Sequence, residues 1–233
     1  MWALIGSGTL EPTFHLKLLE NSDPACRAWG VRAAGNFGKV SSAIREKVAR
    51  LASDPSPDVQ LQVAIASRKI KGLDALPVLS EVLEHCGQDK LIPSIAWNNL
   101  HPLLETDSAT FVSSVTSKDR LSPALATLSP RMVERILSAR EPDGASVAAL
   151  IKFVADRDGE RARECLSAVS SKLAALSEPV TLQLKAELKP VLQEFLSRET
   201  DTSFRSVRRP RDPSSKRRRT RRASSNLQTI PLR

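Results

Sequence analysis

Trp97, Asn98 and His101 stand within a few residues of one another in the stretch "DKLIPSIAWNNLHPLLE", Asp89 to Glu105. At spacings of three and four residues, an indole, a carboxamide and an imidazole share one side of a helix. Together they offer a π-face, a two-way hydrogen-bonding group and a titratable ring, which would suit a polar ligand or a partner surface. The rest of the stretch is apolar. On a helix from Ile92, positions 92, 95, 96, 100, 103 and 104 form one stripe, with Asn99 at its margin and Trp97 off it. A second reading therefore stays open, in which Trp97 is covered by a neighbouring element. Pro102 lacks an N–H and crowds the carbonyl of Asn98, so the helix should kink or end near His101 and a second should begin.

Other residues capable of chemistry are scattered. Cys26, Cys86 and Cys165 lie far apart with no C-x-x-C, and free cysteines often serve as small buried hydrophobes. His85 and Cys86 are adjacent, yet a pair supplies at most two ligands where structural zinc needs four. With His15 and His101 as the only other histidines, no metal and no cofactor is expected. G-x-S-x-G, P-loop, H-E-x-x-H and G-x-G-x-x-G patterns are absent. The carboxylate pairs Glu81/Glu84 and Glu187/Glu194 fall on helix faces rich in lysine and leucine, where solvation accounts for them. No catalytic residue is assigned.

A formal charge of +9 suggests nucleic acid until it is located. From Thr200 to Arg233 there are 11 Lys/Arg and 2 Asp/Glu, whereas residues 1–199 hold 24 of each sign. The basicity thus belongs to a tail, "RSVRRPRDPSSKRRRTRRASS". Its Pro, Ser and Arg content cannot bury enough apolar surface to fold alone, so it is expected to be disordered. Arg208, Arg209, Arg211, Lys216, Arg217, Arg218, Arg219, Arg221 and Arg222 are its candidate polyanion-binding groups. Nucleic acid or an anionic membrane surface would bind there through counterion release, with an affinity that falls with salt and is lost on cutting the chain at Thr200. Phe204 is the tail's sole aromatic, so base stacking is poorly provided for. "RRPRDPSSKRRR" also resembles a bipartite nuclear signal.

The elements that must position these residues are helical. Aromatic content is 4% with no tyrosine, and the chain up to about Arg198 is dominated by Ala, Leu, Ser and Val, which disfavours a sheet-rich domain. The segments "SDPACRAWGVRAAG" and "PSPDVQLQVAIASR" align with Pro24 on Pro57, Cys26 on Val59, Arg27 on Gln60 and Gly30 on Val63, a period of 33 residues. One period further, Ile92 and Ala96 fall on Val59 and Val63, which makes the Trp97 stretch a third copy. Helix-entry chemistry opens each unit: Ser22 or Asp23 before Pro24, Ser56 before Pro57, and similarly Glu11 before Pro12 and Ser129 before Pro130. Apolar residues follow at helical spacing, as in Val40, Ile44, Val48 and Leu51, and in Leu76, Val78, Leu79, Val82 and Leu83.

Beyond Thr106, helices are expected over 109–115, 131–140, 145–155, 161–176 and 180–197. In the last, Leu182, Leu184, Leu188, Val191, Leu192 and Phe195 form a stripe that Pro190 is expected to kink. This helix would cap the stack, or bind a partner helix. No apolar run reaches the roughly 18 residues a spanning helix needs, and "MWALIG" lacks a secretory leader's pattern, so a literal reading places the chain in the cytoplasm.

"MWALIGSGTLEPTFHLKLLENSDPACRAWGVRAAGN", "LASDPSPDVQLQVAIASRKI" and "IPSIAWNNLHPLLE", in that order, resemble the HEAT-repeat segment of the planctomycete-type putative membrane-bound dehydrogenases. The third is the most specific, with Ile92, Pro93, Ile95, Trp97, Pro102 and Leu103 on the family's pattern. Asn98 and His101 depart from it, where an aromatic and an acidic residue are common. The resemblance covers Met1 to Glu105 well, and the rest in helical texture alone. Such proteins join a β-propeller, HEAT repeats and a cytochrome c module, and relatives would be exported. This chain carries neither propeller nor C-x-x-C-H, so it is expected to be a detached or truncated segment.

The fold expected is all-α, an α-solenoid of HEAT-like helix pairs with a disordered basic C-terminal tail: repeats over 1–105, further repeats and a cap over 106–199, and the Arg-rich tail over 200–233. The function expected is a monomeric, non-catalytic scaffold for protein partners or adjacent domains. Its rival is a basic-tailed nucleic-acid binder, and a third reading makes the chain an enzyme module that works only with a missing partner chain.

Overall fold

The structure, a computed structural model, describes residues 8–175 and 177–207. The chain divides into two units, Met1–Gln193 and Glu194–Arg233. The described residues form helices and no strand: α1 (Pro12–Leu19), α2 (Pro24–Phe37), α3 (Ser42–Arg50), α4 (Pro57–Ala66), α5 (Ala75–His85), α6 (Ile92–Leu100), α7 (Ser108–Thr116), α8 (Pro123–Leu137), α9 (Gly144–Ala155), α10 (Gly159–Leu173) and α11 (Glu178–Val207).

Helix starts follow the cap chemistry. Glu11 accepts from Phe14 N at 2.9 Å, Asp23 from Ala25 N at 2.9 Å, and Ser41 from Ile44 N at 3.4 Å. Asp143 and Asp158 cap α9 and α10 in the same way. Each cap satisfies a backbone donor that the first turn leaves unpaired. Ser56 departs from the expected role, because its hydroxyl makes no cap bond to α4. Asp54 Oδ1 accepts from Ser56 N at 2.9 Å, which fixes the residue that precedes the helix without satisfying a first-turn donor.

The helices of the first unit stack in two layers, the α-solenoid expected. In one layer α2, α4, α6, α8 and α10 follow each other side by side; in the other run α1, α3, α5, α7 and α9, with the 3-10 turn Leu51–Ser53 joining α3 to α5. Each helix buries its apolar stripe between the layers and against its neighbours. Val31, Val63, Leu79, Leu83, Leu100, Phe111, Met132, Ile136 and Ile151 are all fully buried. At about 1.5–3 kcal/mol for a fully buried Leu or Val side chain, this packing is what holds each short helix in place. Gly35 allows α2 and α4 their close approach, since a Cβ there would lie 3.0 Å from that of Ala66.

Burial reproduces the 33-residue register. Gly30, Val63 and Ala96 are buried, as are Val31, Ala64 and Trp97 one position on, and Ala34, Ser67 and Leu100 after them. Three helices of different sequence therefore face the core with matching positions.

A carboxylate and a guanidinium tie the first two copies together. Arg27 of α2 donates Nε and an Nη to the two oxygens of Asp54, both at 2.8 Å. Its other Nη donates to the carbonyls of Asn21 and Ser22 at 2.9 Å. Gln60, which the register places on Arg27, donates Nε2 to Asp54 O at 2.7 Å and His85 O at 3.3 Å. In each of these two copies one side chain thus reaches the loops beside it and pins them through their carbonyls.

Several expectations are corrected. Ser129–Pro130 does not open a helix, because α8 already starts at Pro123, where Ser122 accepts from Leu125 N at 3.2 Å and donates to Leu83 O at 2.7 Å. Pro130 lies inside α8, and its missing N–H would deprive Ala126 O of a donor. Ser129 Oγ supplies that bond at 2.8 Å, so the proline is tolerated. In α11 Leu184 and Leu188 are buried, but Leu182 is 61% exposed and does not belong to the stripe. The helix also continues to Val207, past the expected tail boundary at Thr200.

His15 gives the first unit a pH dependence. It is buried, its Nε2–H donates to Gly30 O at 2.8 Å, and Phe37 meets it edge-on at a centroid distance of 6.1 Å. Burial lowers its pKa from 6.5, and the bond to Gly30 O opposes this in part. Below about pH 6.5 the unfolded chain takes up a proton that the native ring resists, so stability is full above that value and declines as pH falls. Urea midpoints at pH 7.5 and 5.5 should fall further for the wild type than for His15→Asn, and equal falls would count against this coupling.

Candidate interaction surface

Helix α6 positions the Trp97 cluster, and its end follows from Pro102. The helix stops at Leu100 with His101 as its C-cap, and Leu103–Glu105 forms a 3-10 turn. Ile92, Ala96, Leu100 and Leu104 are buried as the stripe requires.

Trp97 is 7% exposed and belongs to the packing. Arg131 of α8 lays its guanidinium over the indole, 4.7 Å from the ring centroid, and the His101 ring lies tilted at 5.7 Å. The cover that the sequence left unidentified is therefore a cation from the next helix pair, held by the ring's negative face. Asn98 is exposed and His101 half-buried. The three residues are together, but Asn98 and the His101 edge are what reach the surface. Asn99 turns inward, donating Nδ2 to Ile95 O at 3.1 Å.

Arginines surround the imidazole. Arg135 donates Nε to His101 O at 3.1 Å and pairs with Glu105. The pKa of His101 is lowered, first by burial and then by the positive charges of Arg135, Arg68 and Arg131, so the ring is neutral at pH 7.

Arg68 was not singled out from the sequence, although the register pointed to it. Projected by 33 residues, Asn98 falls on Ile65 and Arg32, and His101 falls on Arg68 and Gly35. Arg32, Gln62, Ile65 and Lys69 line a cleft of about 200 Å³ between α2 and α4. A groove of about 480 Å³ beside it runs from Arg68 to Leu103 between apolar walls and the carboxylates of Asp74 and Asp107. In the other layer, Arg45, Glu46, Asp74 and Glu81 border a groove of about 420 Å³ between α3 and α5.

Cys86 and Cys165 are buried, which raises both thiols to about 11 and leaves them unreactive at neutral pH. Cys26 is half-buried. No group of three or more His, Cys, Asp or Glu able to hold a metal occurs among the described residues, and no described helix is long and apolar enough to cross a membrane. Glu81 pairs with Lys118. The nine candidate tail residues, Arg208 to Arg222, lie outside the described residues, and so does the expected disorder there.

A family model described as HEAT repeats matches residues 12–92, which span α1 to the start of α6. No curated protein and no solved structure matches the chain.

Proposed function

We propose that the chain is a non-catalytic scaffold whose HEAT repeats dock a partner protein or adjacent domains. One observation carries this reading: the three register-equivalent surface positions hold different chemistry, Arg32, Ile65 and Asn98, on a common framework. Buried positions repeat small and apolar residues, while these partly or fully exposed ones vary, as they must on a surface that reads a partner one repeat at a time. Within this proposal, the resemblance of Met1 to Glu105 to the HEAT segment of the planctomycete-type dehydrogenases makes the chain a rigid spacer related to such an enzyme. Any dehydrogenase activity would reside in propeller and haem domains.

The test is the intact mass of the native protein, recovered with an antibody against Met1 to Leu104. A species at 25.5 kDa would support a free-standing scaffold and overturn the spacer reading. A much larger species with a c-type haem spectrum would support the spacer.

A second reading rests on the ten Lys/Arg between Arg205 and Arg222: the tail binds nucleic acid or another polyanion. It requires a logarithmic salt dependence of affinity that disappears when the tail's cations are exchanged for serine.

A further inference from the structure

Cations and carboxylates are unevenly shared between the two layers. Across α2, α4 and α6 the one carboxylate is Asp58, in the first turn of α4. Just past the end of α4, Arg68 acts on the His101 ring and Lys69 lines the cleft toward α2, while Arg131 and Arg135 arrive at His101 from α8. Residues 1–199 are electrically balanced as a whole, so this basic strip is a matter of placement.

Its charges are incompletely answered. Glu105 is committed to Arg135, and Glu134 lies 3.5 Å from Lys172. Asp74 and Asp107 border the strip beside Arg68, but Asp74 caps α5 through Leu76 N at 3.2 Å, and Asp107 accepts from Thr106 Oγ1 at 2.6 Å. Arg68 and Lys69 are exposed and make no ion pair among the described residues. Arg131 is exposed as well, its guanidinium over the Trp97 ring, and it makes no ion pair among the described residues. Gathering like charges costs stability, and a planar guanidinium held by an aromatic ring is preorganised for a carboxylate.

Resting on the scaffold reading above, we propose that this strip docks an extended acidic segment of the partner protein, with Arg68, Lys69 and Arg131 as its carboxylate-binding groups. Three helix spacings of about 8–10 Å separate α2 from α8. At about 3.3 Å per extended residue, that is a segment of roughly eight residues. Ile65 and Leu103 would receive its apolar side chains, and Gln62 and Asn98 its backbone. A peptide fits better than a nucleic acid, because the Trp97 face is already taken by Arg131 and no base can stack on it. Single cations interleaved with isoleucine and amides also match sparse carboxylates better than a continuous phosphate ladder.

The experiment uses the full chain with the nine Lys/Arg between Arg208 and Arg222 exchanged for serine, so that the tail cannot bind the probe. A fluorescein-labelled octapeptide of alternating Glu and Leu is titrated by anisotropy against this protein and against the same protein with Arg68→Glu and Lys69→Glu. The expected result is saturable binding that weakens at least tenfold in the charge-reversed protein, with an unchanged thermal midpoint. No binding to the parent, equal affinity for both, or stronger binding of a single-stranded DNA octamer through the same residues would overturn the proposal. None of these outcomes bears on the native-mass test of the scaffold reading.

Discussion

Asp54→Ala should lower the unfolding free energy of the first unit by about 3–5 kcal/mol, the typical cost of removing one partner from a buried ion pair. Asp54 has a side-chain exposure of 4% and Arg27 of 14%, so the guanidinium left behind would be partly desolvated with only the weaker influence of Asp23 acting on its charge. Ser56 N would lose its acceptor as well. Arg27→Gln should cost less than Asp54→Ala, because Gln60 already does the equivalent work with a neutral amide in the next copy. Urea denaturation followed by circular dichroism measures both, and a loss below about 1 kcal/mol for Asp54→Ala would place this pair with the weak surface bridges.

The second large effect is expected at Trp97. Trp97→Ala removes a nearly buried indole from between α6 and α8 and strips Arg131 of its platform, at a cost of about 3–5 kcal/mol. Trp97→Phe keeps a ring beneath the guanidinium and should lose less than half as much. A near-neutral Trp97→Ala would show that the indole contributes little to packing, and the ligand reading of the Trp97–Asn98–His101 face would then regain weight.

These two residues also show how far the sequence could be read. The three-copy register was legible because it rests on local chemistry: a proline at each helix start and apolar residues three or four apart, which the burial of Gly30, Val63 and Ala96 matches. The end of α6 at His101 was legible for the same reason, since a proline acts on its own turn. The partners of Trp97 and Arg27 were not. Arg131 reaches Trp97 across 34 residues and Asp54 meets Arg27 across 27, and periodicity has no term for which side chain crosses from one element to another. Ser129 misled because Ser-Pro reads as a helix entry at the sequence level, and only the presence of Ser122–Pro123 about two turns earlier decides between them. The interaction strip was half legible. Asn98 and His101 drew notice as polar residues in an apolar stretch, whereas Arg68 was not singled out, although the register makes it the equivalent of His101 one repeat earlier.

Contacts that run from neighbour to neighbour are the central claim, since both the scaffold function and the docking strip depend on helix pairs stacked in line. Amide hydrogen exchange of the Asp54→Ala protein, compared with the wild type peptide by peptide, tests it directly. The account predicts that protection falls in α2 and α4, less in α6, and stays at the wild-type level in α9 and α10, because a stack transmits a defect to its neighbours and little further. Protection lost evenly from α2 through α10 would contradict the account and reveal a single cooperative globule.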